Sequence, residues 1–244
     1  MVYFNKNRTF GVIILMFLTI GIRNMEKRGL IRILLVLLCV IVAVPAVAGK
    51  RGEGRADSDG PRVRTEWGIG VGASYTFFNP NSQVVTVKPR FNLGGQLHMG
   101  LLFGKNFALE AEIHYQGGSL VAEMPLKNEP VSRKIKTSTI DVPVMMSLRM
   151  LDSIIQLDAG ILFTVMSRSE YTFNSEVMYF GSIYPTFNFT CGAGFRIGRH
   201  FLIEAHYVYP LGKTSNQFLP KLDDGSNVFK SQASRITAGV TLVF

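Results

Sequence analysis

Beyond residue 48 the sequence has no run of 18 apolar residues, so nothing there is long enough to form a transmembrane helix. Cysteine is nearly absent: there are two, Cys39 and Cys191. Cys39 lies in a segment expected to be removed, which leaves Cys191 alone and excludes a disulfide framework. Charge is also sparse, at 18% of residues against 47% hydrophobic and 11% aromatic. No H-E-x-x-H, C-x-x-C or EF-hand spacing occurs, so no metal site is expected. Gly212-Lys213-Thr214 resembles the end of a phosphate loop, but Tyr207 stands where its first glycine is needed. Gly68, Gly70 and Gly72 are spaced wrongly for a dinucleotide fingerprint and no helix follows, so no cofactor is expected. The net charge of +9 misleads. Residues 1–48 hold six of the 26 basic residues (Lys6, Arg8, Arg23, Lys27, Arg28, Arg32) and one of the 17 acids (Glu26). The remaining 20 bases and 16 acids do not support nucleic-acid binding.

What the chain does have begins with an address. After Met25, Lys27, Arg28 and Arg32 form a basic region and residues 33–44 an apolar one. Ala46-Val47-Ala48 then supplies an A-x-A cleavage signal, so residues 25–48 read as a signal peptide. Residues 1–24 contain a second apolar stretch, 11–22. They read as a mis-called start, with an anchor or hairpin as the alternative. Residues 49–63, rich in glycine and charge, read as a short periplasmic linker.

From residue 64 to 244 the hydrophobic period is two. Eight alternating segments emerge, at about 64–79, 87–103, 106–116, 136–149, 153–167, 184–197, 200–210 and 233–244. Glycine on every second residue would be costly in helices. Pro143 interrupts the fourth segment and predicts a bulge or weakened pairing there. Connections alternate between long (79–87, 117–135, 168–183, 211–232) and short (Gly104-Lys105, 150–152, Gly198-Arg199). The pattern predicts an all-β fold: a closed antiparallel up-and-down transmembrane β-barrel of about eight strands, with long loops external. An even strand count puts both termini in the periplasm.

The apolar face is assigned to lipid. Its opposite carries small residues and charges of both signs, suited to a narrow interior. The lumen network expected there comprises Glu110, Glu112, His114, Asp141, Arg149, Asp158, Arg196, Glu204, His206 and Arg235. On the apolar face Trp67, Phe103, Phe107, Phe195, Phe201 and Phe244 would form a girdle at one interface. Tyr75, Phe77, Phe91, Tyr115, Phe187, Tyr207 and Tyr209 would form the other. Cys191 falls on the lipid side.

The terminal Leu242-Val243-Phe244 resembles the aromatic signal by which outer-membrane barrels are handed to the barrel-assembly machinery, which makes Phe244 the assembly signal. Residues 138–149 (STIDVPVMMSLR) resemble the fourth strand of PorT-like outer-membrane barrels of Bacteroidetes-type Gram-negative bacteria. FNFTCGAGFR (187–196) and IEAHYVY (203–209) resemble that family's sixth and seventh strands. His206 departs from the arginine frequent there. The resemblance implies an outer-membrane protein, with type IX secretion components among its possible partners.

Three functions remain in view. The first is a non-enzymatic structural, assembly or secretion-associated barrel that meets partners through its long loops. The second is a small channel or ligand-binding barrel. The third is a membrane hydrolase using a rim site in which His114 and His206 lie two residues from Glu112 and Glu204; no nucleophile is identifiable, so no catalytic residue is assigned. Outer-membrane lipid is the expected surroundings. Arg133, Lys134 and Lys136 form a basic patch in the second long loop, read first as an ordinary solvated rim, with contact to lipopolysaccharide phosphates as the alternative.

Overall fold

The computed structural model describes residues 63–82, 84–125, 130–219 and 227–244. The signal segment with its Ala46 and Ala48 cleavage positions, the residues upstream of it and almost all of the linker lie outside the described residues. Eleven strands occur among the described residues: β1 Val63–Asn81, β2 Thr86–Lys88, β3 Phe91–Phe103, β4 Phe107–Pro125, β5 Pro130–Met150, β6 Ile155–Phe173, β7 Glu176–Tyr179, β8 Phe187–Ile197, β9 Phe201–Pro210, β10 Thr214–Gln217 and β11 Val228–Val243. Eight of them pair antiparallel in the order β1-β3-β4-β5-β6-β8-β9-β11, and β11 pairs back onto β1. The sheet is therefore a closed eight-stranded ring, as the alternation demands. Closure leaves no unpaired edge in the belt. β2, β7 and β10 extend the ladders of β4, β6 and β11.

The ring has two unlike ends. At the turn end lie the β3–β4, β5–β6 and β8–β9 connections. Gly104 (φ 70°) and Gly198 (φ 62°) supply left-handed positions in the first and third. Three consecutive left-handed residues, Leu151, Asp152 and Ser153, make the second. At the hairpin end the strands run further than their periodicity predicts. The segments 117–135 and 168–183, expected as loops, are largely strand: β4 and β5 pair from Gly117↔Ser138 out to Pro125↔Pro130. β6 pairs with β7 from Glu170↔Tyr179 to Phe173↔Glu176. Likewise part of 211–232 is strand, in β10 and the start of β11. Two expected strands are shorter: the second starts at Phe91 after the separate β2, and the sixth starts at Phe187.

These extensions exist because the pattern inverts while the parity holds. Along β4 the inward row reads Glu110, Glu112, His114 and Gln116, then Leu120, Ala122 and Met124. Its outward row passes from Phe107, Leu109 and Tyr115 to Gly117, Ser119 and Glu123. β5 behaves alike: Ile140, Val142, Val144, Met146 and Leu148 face out below, and Ser132, Lys134, Lys136 and Ser138 above. The barrel is inside-out over its apolar belt and conventional above it. In β6 the crossing uses an extra residue. Ile140 pairs with Met166 but Asp141 with Thr164, so Val165 is bulged out. After it the inward row continues as Ser169 and Tyr171. Pro143, lacking an N–H, falls in a gap of the β4–β5 ladder between Val144 and Asp141.

The inverted end encloses an apolar core. Leu120, Ala122, Met124, Ile135, Phe180, Ile183, Phe218 and Phe229 are among its buried members. Phe180 packs its ring against Phe78, Phe218 and Phe229 at 6.2, 6.5 and 6.0 Å. The β7–β8 connection, which carries Phe180, Ile183 and Tyr184, folds into the ring and closes it. There the Ser169 hydroxyl donates to the Gly181 carbonyl, and Tyr171 Oη accepts the Leu219 N–H at 2.7 Å.

Candidate functional site: the lumen and its cap

Below the apolar cap the interior is polar, and it is filled by side chains reaching across the ring. At the turn end Glu66 of β1 is the hub. Its carboxylate accepts from Arg149 of β5 (2.9 and 3.3 Å) and from Arg196 of β8 (2.8 and 3.0 Å). Arg149 also donates to Glu110 at 2.9 Å, and Gln156 donates to the other Glu110 oxygen at 2.8 Å. Bidentate guanidinium pairing fixes these groups in orientation as well as in charge.

In the middle, Glu112 is held between two imidazoles, His98 Nδ1 at 2.8 Å and His114 Nε2 at 2.5 Å. The far nitrogen of His98 lies 3.5 Å from Glu66. Gln96 donates to Glu204 at 2.5 Å and to Thr241 at 2.7 Å. His206 Nε2 lies 3.4 Å from Asp158. Nearest the cap, Arg235 of β11 donates to Asp141 of β5 at 2.7 Å. These two strands stand opposite each other in the ring. Thr164 donates to the second Asp141 oxygen at 2.7 Å, and Asn188 donates to Thr164 at 3.1 Å. The Tyr184 ring covers the Arg235 guanidinium at 4.3 Å, a cation–π contact that seals this layer from above.

All ten residues expected in the lumen network therefore face inward, and they form three cross-ring layers. Sequence reasoning missed Glu66, which lies on the parity of Gly68, Ser74 and Thr76 but next to the turn end. It also missed His98, which lies on the parity of Asn92, Gln96 and Gly100. Of the two histidine–acid pairs expected at a rim site, His114–Glu112 forms, but as a buried pair and not at an exposed rim. His114 and His206 lie beneath Tyr184 and the cap, their side chains 8% and 5% exposed. The acid facing His206 is Asp158, while Glu204 is engaged by Gln96. The basic patch also divides: Lys134 and Lys136 face outward, whereas Arg133 has inward parity, with its guanidinium 5.7 Å above the Phe173 ring. Among the described residues, His98, Glu110 and Glu112 lie close enough together to hold a cation. Their carboxylate oxygens and His98 Nδ1 already have hydrogen-bond partners, so a metal would have to break the network.

Small residues make the crossing possible. Gly192 lies under His206: a Cβ there would overlap the imidazole and the Ala205 carbonyl. Gly118 similarly gives room to Asn92.

A polar interior inside an apolar belt suits a small barrel in lipid, where the backbone polar groups must be satisfied within a closed sheet. The sequence agrees: the family model of the outer membrane protein beta-barrel domain matches residues 56–216. The chain belongs to this family. Among solved structures it is similar to Ail, the attachment invasion locus protein of Yersinia pestis, with 14% identity over 74% of this chain and 99% of that one (TM-score 0.44). It is also similar to Neisserial surface protein A, with 9% identity over 72% and 96% of the two chains (TM-score 0.44). The outer membrane protein AlkL matches at 12% identity over 80% and 97% (TM-score 0.38). No curated protein is detectably similar in sequence. The exposed aromatics take their place at the edges of the belt. Phe107, Phe195, Phe201 and Phe244 stand at the turn end, and Phe77, Phe91, Phe187 and Tyr209 at the hairpin end.

Proposed function

We propose that this outer-membrane barrel is a non-conducting, non-enzymatic protein that works through its hairpin end, which faces the cell exterior while the N-terminus lies in the periplasm. The observation that carries the reading is the 2.7 Å contact between Arg235 and Asp141 across opposite strands, roofed by Tyr184 and the apolar core. Side chains that meet across the full width leave no aqueous path at that level, and burial of the histidines leaves no substrate access. The paired hairpins β4–β5 and β6–β7 then form a stiff platform for partners, in a structural, assembly or secretion-associated role. The PorT-like strand motifs favour the type IX route. The exposed Phe244, whose N–H donates to the Trp67 carbonyl at 2.7 Å, favours delivery by the barrel-assembly machinery.

Purified barrel in planar bilayers should show no current above lipid leak; stable unitary currents would restore the channel reading. Affinity capture from native outer membranes should co-purify secretion components. Their consistent absence would remove the secretion role without touching the closed lumen.

A further inference from the structure

The outward face just above the apolar belt on β4, β5 and β6 is organised in tiers by the ladder registers. Tyr115, Ile140 and Met166 form the last apolar tier, since Tyr115 pairs with Ile140 and Ile140 with Met166. Immediately above, Gly117, Ser138 and Arg168 stand side by side; above these come Ser119, Lys136 and Glu170, then Val121 and Lys134. Lys88, paired in register with Val121, joins from β2.

Four cations therefore crowd one flank. Two acids accompany them: Glu170, 2.8 Å from Arg168, and Glu123, 2.7 Å from Lys88. No carboxylate among the described residues lies within 4.0 Å of the amino groups of Lys134 or Lys136. Between the cations the surface is recessed. Gly117 has no side chain, nothing lies within 4 Å of where its Cβ would be, and Ser138 beside it is small. Neighbouring side chains on one face of paired strands lie about 5 Å apart, so Arg168 and Lys136 both border this recess. Cations directly above a lipid-facing tier match an anionic headgroup whose hydrocarbon lies along the belt.

We propose that Lys136, Arg168 and Lys134, around the Gly117–Ser138 recess, form a binding site for a phosphorylated lipid headgroup of the outer leaflet. Acyl chains of that lipid run over Tyr115, Ile140 and Met166. The site rests on the outward orientation of the hairpin end proposed above. In Arg168 the guanidinium is shared between Glu170 and the phosphate; Lys136 and Lys134 contribute charge that no carboxylate among the described residues pairs within 4.0 Å.

The full-length mature barrel in detergent is incubated with bis-phosphorylated lipid A or its unphosphorylated analogue, and bound lipid is read by native mass spectrometry. The wild type should retain the phosphorylated form with at least about a tenfold preference. That preference should vanish in the double variant Lys136→Gln/Arg168→Gln and in Ser138→Glu, which sets a carboxylate in the recess. Lys105→Gln, at the turn end, should keep it. Heat-modifiable migration verifies folding of each variant, and 50 mM inorganic phosphate should compete weakly, because free phosphate lacks the chains. Equal retention of both lipids, an unchanged double variant, an equal loss in Lys105→Gln, or full displacement by inorganic phosphate would each overturn the site. Lipid capture in detergent does not depend on orientation. Orientation is read separately, by labelling Ser132→Cys in a Cys191→Ser background on intact cells with an impermeant maleimide. Labelling is expected; its absence overturns the orientation alone.

Discussion

Glu66 carries the largest consequence of any single side chain. Two buried guanidiniums, of Arg149 and Arg196, meet at one carboxylate that is itself only 12% exposed, and Arg149 has a second acid in Glu110. Glu66→Gln leaves Arg196 short of a counter-charge in a poorly solvated space and Arg149 with Glu110 alone, a type of change that costs about 3–5 kcal/mol. It should lower the urea midpoint at which heat-modifiable migration is lost; an unchanged midpoint would show the hub to be dispensable. Cys191 is the opposite case. It pairs with Ala159 and Tyr207 on the outward face, at intermediate exposure. Cys191→Ala should stay within about 0.5 kcal/mol of the parent in the same assay. Its thiol should react with a lipid-soluble maleimide and not with a water-restricted one. Parity was legible for both residues. Partnership was not, because Glu66, Arg149 and Arg196 belong to strands far apart in sequence, and only ring order and strand offset bring them together.

Among the elements, β6 shows how one residue sets a face. The bulge at Val165 turns Ser169 and Tyr171 inward and leaves Arg168 and Thr172 outward. Deleting Val165 removes the extra residue, and every side chain from Met166 onward exchanges faces. Tyr171 would lose its bond to Leu219, and Arg168 would enter the apolar core. Limited proteolysis of that variant should cut at the hairpin end while the belt persists as a protected fragment. The cap is separately testable. Phe180 is fully buried among three other aromatic rings, so Phe180→Ala should cost about 3–5 kcal/mol. The loss should appear as faster amide exchange in β7 and β10, with β3 and β9 unchanged. In the sequence these extensions passed for loops. Ser119-Leu120-Val121-Ala122-Glu123-Met124 does keep a period of two, but its apolar residues occupy the parity that carries charge lower in the same strand. The inversion was therefore present in the letters, and could be interpreted only once the height of the belt was known.

At the scale of the molecule, the described interior is spanned by ion pairs below and filled by an apolar core above. On the proposed non-conducting reading, either layer alone stops a single file of ions. Phe180→Ala should therefore remain non-conducting in planar bilayers, because the Arg235–Asp141 bridge still crosses the ring beneath the weakened cap. Currents in that variant would show the cap to be the only seal. In the described part of the lumen six carboxylates (Glu66, Glu110, Glu112, Asp141, Asp158, Glu204) face three arginines and three histidines (Arg149, Arg196, Arg235, His98, His114, His206). The interior is densely charged yet mixed in sign, which suits packing and not ion selection.

Period-two alternation over residues 64–244, with small and ionised residues opposite the apolar row, determined a closed antiparallel barrel of eight strands and the inward parity of its charges. Alternation is a local property, so it can be read without knowing what any strand pairs with. The tertiary structure alone decided which charges meet, that the inward face turns apolar above the belt, and that Tyr184 and Phe180 fold in to cap it. Those outcomes depend on distances across the ring and on where lipid gives way to water, and neither is encoded in the spacing of residues along one strand.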